Sequence, residues 1–196
     1  VAVNDCSTDG SLEFLKEQQG KDLVITGSVI NMNVGAVFAA GLYEALKGAG
    51  DEDVIVIMES DQTSEQELVL PMVARIVNGA ADIVVASRYL SGGRYVNFPL
   101  PRLVFSHCAN CLMRLFFPVA NVRDYTIFFR AYRAGVLKKA SGYFGPFGLI
   151  QSKGFVANAE LLVKLALLTD RIEEIPFVYN YGMKKGASKI NVVRTI

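Results

Sequence analysis

The chain opens on an apolar triplet, Val1-Ala2-Val3, that runs straight into the polar cluster N-D-C-S-T-D-G. This pattern reads as the end of a buried strand followed by a turn. Leu12 and Leu15 then stand three apart, with Phe14 widening the stripe, and predict a helix over 11–19. "DLVIT" predicts a second short strand, and "NVGAVFAAGLYEALKGAG" a helix with small residues on one face and glycine at its end. "DVIVIM" is apolar after its first residue, as in a parallel strand covered on both faces. "ESDQTSEQEL" ends that strand and starts a helix, with Ser64 and Glu67 spaced as a capping box. "ADIVVASRYL" is the next strand and its exit loop. This repeated alternation predicts an α/β fold, with a mostly parallel sheet flanked by helices.

After "SGGR" the pattern changes. Residues 97–117 are an apolar helical region punctuated by Pro99, Pro101, Arg102 and Arg114. "VRDYTIFFRAYRAGVL", a glycine-rich turn "SGYFGPFG", the helix "VANAELLVKLALLT", the strand "IEEIPFVYNY" and a basic tail "GMKKGASK" follow. No repeat or linker interrupts the 196 residues, so a single domain with a sizeable core is the economical reading.

Composition narrows the function classes. A net charge of +1 argues against a nucleic-acid binder, which needs a basic excess or stripe. The hydrophobic fraction of 52% and mean hydropathy of +0.31 are high for a soluble domain. No run approaches the roughly 20 apolar residues of a membrane span, so the excess serves a core, a membrane-facing surface, or both. The start shows no basic segment or cleavage site of a signal peptide. Three cysteines fit a reducing compartment. Cys108 and Cys111 form a C-x-x-C that reads either as a redox or half-zinc site or, more plainly, as two small packing residues on a helix.

In open α/β sheets, ligands bind beyond the carboxyl ends of the strands. Asn4-Asp5, Glu59-Ser60-Asp61 and Ser87-Arg88 each follow a predicted strand. Gathered along one edge, they offer carboxylates for Mg²⁺ or Mn²⁺, an acceptor for a base or ribose, and an arginine for phosphate. That set points to a nucleotide diphosphate. Taken singly, Asp and Ser at a strand end are more often turn formers or helix caps, E-S-D is a solvated turn as often as a metal site, and Arg88 is usually a surface arginine; Ser7 and Asp9 are read only as turn or cap residues. There is no Walker A loop and no G-x-G-x-x-G after the first strand, and the only histidine, His107, sits in the apolar helical segment.

These residues carry a family likeness. "VNDCSTDGS", "NMNVGAVFAAGLYEA", "MESDQTSEQEL", "DIVVASRYLSGG", "VRDYTIFFRAYRAGVL" and "GASKI" resemble, in order, six motifs of the family 2, GT-A type glycosyltransferases, closest to the polyprenyl-phosphate sugar transferases. Asn4 and Glu59 stand where the family has aspartates, and Ile127-Phe128 where it has a small turn. The family begins with a further strand ahead of this motif, so the resemblance implies an N-terminally truncated GT-A domain. It divides that domain into a nucleotide-binding half, about 1–95, and an acceptor- or membrane-facing half, about 96–196.

By resemblance, Val3, Asp5, Ser60, Arg88, Ser188 and Lys189 would bind the nucleotide-sugar. Glu59 and Asp61 would hold the metal. Asp124, Arg88 and Glu160 would serve the chemistry. The implied reaction moves a sugar from a GDP- or UDP-linked donor to a polyprenyl phosphate, with inversion. Arg102 and Arg114 flank "LPRLVFSHCANCLMRLFF", which fits either an interfacial helix or a core helix. The implied place is cytoplasmic, peripheral at the inner membrane face. Three other readings stay open: a transferase to a saccharide hydroxyl, a non-catalytic nucleotide-sugar-binding scaffold and, more remotely, a nucleotidyltransferase.

Overall fold

The computed structural model describes residues 1–184 except Lys21, Val29 and Pro146. In chain order its elements are β1 (Ala2–Asp5), α1 (Ser11–Glu17), β2 (Ile25–Ser28), α2 (Val34–Gly48), β3 (Val54–Ile57), α3 (Val69–Val77) and β4 (Ile83–Ser87). Then come β5 (Arg94–Val96), α4 (Leu100–Phe116), β6 (Arg130–Arg133), α5 (Ala134–Phe144), α6 (Val156–Ala166), β7 (Ile172–Pro176) and β8 (Val178–Asn180).

The central sheet has the order β3-β6-β4-β7. Its strand β6 runs antiparallel to both β3 and β4, and β7 runs parallel to β4. Strands β3, β4 and β7 therefore share one direction, and their carboxyl ends lie on one side. Strands β1 and β2 pair in parallel, as do β5 and β8. The core lies around β4, whose Ile83, Val84, Val85 and Ala86 are wholly buried. Met72 and Ile76 of α3, Leu137 of α5, and Leu161, Leu162 and Leu165 of α6 pack into the same cluster. Ile127 and Phe128, the bulky pair, are buried as well, and Phe128 meets Phe38 edge-on at 5.4 Å between ring centroids.

Several expectations change in detail. The "DVIVIM" strand is half-buried and antiparallel to its neighbour, because β6 inserts between β3 and β4. The second strand starts at Ile25, later than "DLVIT" suggests. Phe14 is exposed and α1 buries no residue fully. The capping box does not form: a 3-10 turn at Gln66–Leu68 intervenes and α3 starts at Val69 without a side-chain cap. Pro71 sits in the first turn of α3, where its missing N–H costs nothing. "IEEIPFVYNY" divides at Phe177 into β7 and β8, which belong to different sheets.

Gly35, in the first turn of α2, donates its N–H to the Lys153 carbonyl at 3.1 Å. A Cβ there would overlap the Ser152 carbonyl oxygen, a backbone atom with little room to yield. Gly35→Ala is therefore expected to destabilise by about 2 kcal/mol, an overpacking cost of about 3 less about 1 regained in helix propensity. Denaturant unfolding checks this. A variant as stable as the parent would mean that the 152–153 segment gives way freely.

Candidate active site

Strand β4 ends in Ser87 and hands the chain to Arg88, which is buried. Its guanidinium grips Asp124 at two points, Nε to Oδ2 and Nη2 to Oδ1, each at 2.7 Å. The Arg88 backbone N–H also donates to Oδ2 at 3.1 Å, and Nη2 donates to Thr126 Oγ1 at 2.7 Å. Asp124 is wholly buried. Burial pushes its carboxyl up, but the paired guanidinium outweighs burial and holds it below the usual carboxylate range. Both Asp124 oxygens are thus committed to Arg88. Arg130 and Glu174 fix the turn that presents it. Arg130 Nη2 donates to the Tyr125 carbonyl at 2.8 Å, and Glu174 Oε1 accepts the Arg123 and Asp124 N–H groups at 2.8 Å.

Aromatic rings surround the guanidinium. Its carbon lies 4.9 Å from the Tyr95 ring centroid, 5.7 Å from Tyr179 and 5.9 Å from Tyr89. Such faces stabilise a desolvated cation. The tyrosines lead outward to α4. Tyr95 OH meets Ser106 Oγ at 2.8 Å and donates to Tyr89 OH at 2.9 Å. Asn110 Nδ2 donates to Tyr89 OH and Thr126 Oγ1, each at 3.1 Å, while Asn110 Oδ1 accepts the Tyr125 N–H at 2.6 Å. Burial first of all pushes the Tyr95 hydroxyl far above its usual range, so it stays protonated.

Helix α4 consequently turns polar residues inward, beside Met113, which packs against the core. Ser106 and Asn110, one turn apart, turn inward to this network. Leu100, Val104, Phe105, Leu112, Leu115 and Phe116 face outward, half to two-thirds exposed. Cys108 and Cys111 are exposed too, which corrects the reading of them as packing residues. Their spacing puts them in the middle of that outward face.

Beyond β3, the Asp61 carboxylate accepts Thr63 N–H at 3.1 Å and Thr63 Oγ1–H at 2.5 Å on Oδ1, and Lys184 Nζ at 2.7 Å on Oδ2. Burial pushes the Asp61 carboxyl up, and these donors more than reverse it. Glu59 is raised, by burial first and by Asp61 second, with Lys184 and Arg88 opposing. Glu59, Asp61, Arg88, Lys184 and Tyr179 therefore form one electrostatic group. Ser60 between the two acids is exposed.

The other candidate residues lie elsewhere in the bonding pattern. Asp5 Oδ1 accepts Met32 N–H at 2.7 Å and so shapes the entry to α2. Val3 is half-buried and packs toward Gly41 of α2. Glu160 accepts the Gln151 and Ser152 N–H groups at 3.1 and 2.8 Å and pairs with Lys164 at 2.5 Å. Its carboxyl is lowered by those donors against burial. Ser188 and Lys189 lie outside the described residues. Asp9 accepts Ser11 N–H and Oγ–H in a local turn, while Gly10 stands at the N-cap of α1, which has no side-chain cap. Sequence reasoning missed Lys184, Ser106 and Asn110 as site residues. For Ser106 and Asn110, uncharged polar residues at i, i+4 in a helix rich in Leu and Phe were the available signal.

The glycosyl transferase family 2 model matches residues 1–141. The chain belongs to glycosyl transferase family 2. It is 28% identical over 181 residues to undecaprenyl-phosphate mannosyltransferase of Micrococcus luteus, a match covering 91% of this chain and 70% of that one. It is 28% identical over 194 residues to polyprenol monophosphomannose synthase of Mycolicibacterium smegmatis, covering 97% and 69%. Among solved structures, glucosyl-3-phosphoglycerate synthase of Mycobacterium tuberculosis, in complex with Mn²⁺ and UDP-glucose, superposes with a TM-score of 0.63 at 16% identity. That match covers 96% of this family 2 chain and 61% of the synthase, so the chain spans less than two thirds of that protein. The likeness establishes the GT-A fold expected from the sequence.

Proposed function

We propose that this family 2 glycosyltransferase chain moves a sugar from a nucleotide diphosphate donor to a polyprenyl phosphate at a membrane surface. The observation that carries the reading is the inverted helix α4, polar toward the Arg88 group and apolar toward the outside. A face of leucine, phenylalanine and valine with Arg114 and His107 at one edge suits the boundary of a lipid layer. No described helix is long and apolar enough to cross a membrane, and an interfacial helix has no need to be. The relatives whose names give polyprenyl and undecaprenyl phosphate acceptors support the same reading.

The carboxylates favour a phosphate acceptor over a saccharide hydroxyl. A hydroxyl needs a general base. The oxygens of Asp124 are held by Arg88, and those of Glu160 by Lys164 and loop amides. A phosphate oxygen is already anionic and attacks the anomeric carbon unaided. The bond from that carbon to the diphosphate breaks, the configuration inverts, and the nucleoside diphosphate leaves. The Arg88–Asp124 pair then acts as a fixed dipole that positions the 124–126 turn and the tyrosines beneath α4.

Glu59 and Asp61 suit a divalent ion. Among the described residues no third acidic, histidine or cysteine side chain completes a cluster, yet Mg²⁺ and Mn²⁺ commonly take one or two carboxylates and leave the rest to phosphate and water. An ammonium already rests on Asp61, so the position is built for positive charge. A bound metal would supply charge neutralisation at the departing diphosphate.

Labelled GDP-mannose and UDP-glucose, offered with a polyprenyl phosphate in vesicles or with free saccharides, test the proposal. Label is expected to pass into the organic phase with one donor. Transfer to the saccharide alone would overturn the lipid reading, and nucleotide binding without any transfer would favour the scaffold.

A further inference from the structure

Lys184 follows directly on a 3-10 turn, Tyr181–Met183, and its backbone N–H donates to the Tyr181 carbonyl at 3.2 Å. That turn is held in place. Asn180 caps it through the Gly182 N–H at 3.1 Å, and Arg102 donates to Tyr181 OH at 3.1 Å. The Lys184 backbone is thus anchored while its side chain reaches the acids beyond β3. Its Nζ meets Asp61 Oδ2 at 2.7 Å, 123 residues back along the chain. Both side chains are mostly covered, 22% exposed for Lys184 and 18% for Asp61. Glu59 feels the same ammonium. Two neighbouring acids at a strand end repel one another, and a cation between them removes that cost.

We infer that Lys184 is the resident cation of the Glu59–Asp61 pair, yields that place to a divalent ion, and then takes up the donor's diphosphate. The inference rests on the reading of Glu59 and Asp61 as the metal pair. The physical reason is charge bookkeeping. One ammonium and one divalent ion cannot share Asp61 Oδ2 without mutual repulsion, so the ion's arrival expels the lysine. The freed ammonium, tethered by an anchored backbone, stays within one side chain's swing of the site. Its nearest new anion is the phosphate that arrives with the metal. The lysine thereby opposes metal alone and favours metal together with diphosphate, which couples the two binding events.

The test measures Mn²⁺ binding by electron paramagnetic resonance in the full chain, with Mn²⁺ alone and with Mn²⁺ plus pyrophosphate. The variants are Lys184→Met, Lys184→Gln and Asp61→Asn. Both lysine variants are expected to bind Mn²⁺ alone on the order of fivefold more tightly, the yield of removing a partly buried ion pair. They are expected to bind pyrophosphate with Mn²⁺ several-fold more weakly than the parent. A misfolded protein cannot produce the gain, and a merely structural lysine would not produce opposite signs. Unchanged or weaker binding of Mn²⁺ alone in both lysine variants overturns the inference, provided that Asp61→Asn loses Mn²⁺. Mn²⁺ binding unaffected by Asp61→Asn overturns the metal pair itself, and the exchange with it.

Discussion

Replacing Arg88 by methionine is expected to lower the unfolding temperature by about 10 °C or more, from a loss of about 3–5 kcal/mol in a chain of this size. The reason lies with the partner. Asp124 is wholly buried and draws Arg88 through Nε, Nη2 and the backbone N–H. Without the guanidinium its remaining donors among the described residues are the N–H groups of residues 88 and 126 and the Thr126 hydroxyl, with the Arg130 charge nearby. A buried carboxylate so stripped must either stay charged at high cost or take up a proton. Asp124→Asn is expected to cost stability as well, because it strands the arginine among Tyr95, Tyr89 and Tyr179. The double variant Arg88→Met/Asp124→Leu should lose less than the sum of the single losses, since the two sites share one interaction. Thermal unfolding checks all three. If Asp124→Asn kept full stability and lost only transfer, Asp124 would be a chemical group rather than a positioning one.

The same pair sets an acid limit. The Asp124 carboxyl is lowered in the folded state, so it contributes stability that is fully present above the unfolded carboxylate value, about 4. That contribution is lost as pH falls from there through the folded value. Acid unfolding of the parent should accordingly be steep below about pH 4, and the Arg88→Met/Asp124→Leu variant should lack that component.

Two charges on the outer face of α4 are expected to abolish vesicle binding and cut transfer to a vesicle-borne polyprenyl phosphate roughly a hundredfold or more. Leu112→Glu with Leu115→Glu is the sharpest form. Both leucines are exposed, at 54% and 69%, so folding gains little from them and the unfolding temperature should shift by only a degree or two. Burying each in a lipid boundary yields about 1.5–3 kcal/mol, and a carboxylate in its place adds desolvation. Flotation with anionic vesicles reads the binding. Turnover of a short, water-soluble isoprenyl phosphate should survive, because Ser106 and Asn110 on the inner face are untouched. Equal loss with both acceptors would mean that the outer face supports the site rather than the membrane.

These two regions differ in how far the chain's own pattern reveals them. The buried strand Ile83–Ser87, the helix Val34–Gly48 and the helix at 100–116 are all legible, because apolar runs and helical spacing report local burial. The strand-end acids Glu59 and Asp61 and the arginine after β4 are legible too, since polar residues directly after an apolar strand mark its carboxyl end. A heptad-like count cannot say which face of α4 looks inward. An apolar stripe normally faces the core, and here the polar Ser106 and Asn110 face it beside Met113, because the tyrosines and Thr126 beneath them need partners.

Long-range pairing is the rest. That Arg88 closes on Asp124, 36 residues away, and that Lys184 reaches Asp61 from the turn after β8 are contacts between distant parts of the chain, which no local signal encodes. The antiparallel β6 between β3 and β4 is decided the same way, by which apolar faces bury best once the helices pack. Local spacing and motifs are enough for the long helices, the buried strand β4, the family and the charged residue types at the strand ends, but not for β5 or the break at Phe177 between β7 and β8. Which charges meet emerges only in the packed fold, because an ion pair depends on distance in space, and that is set by the packing of the whole sheet.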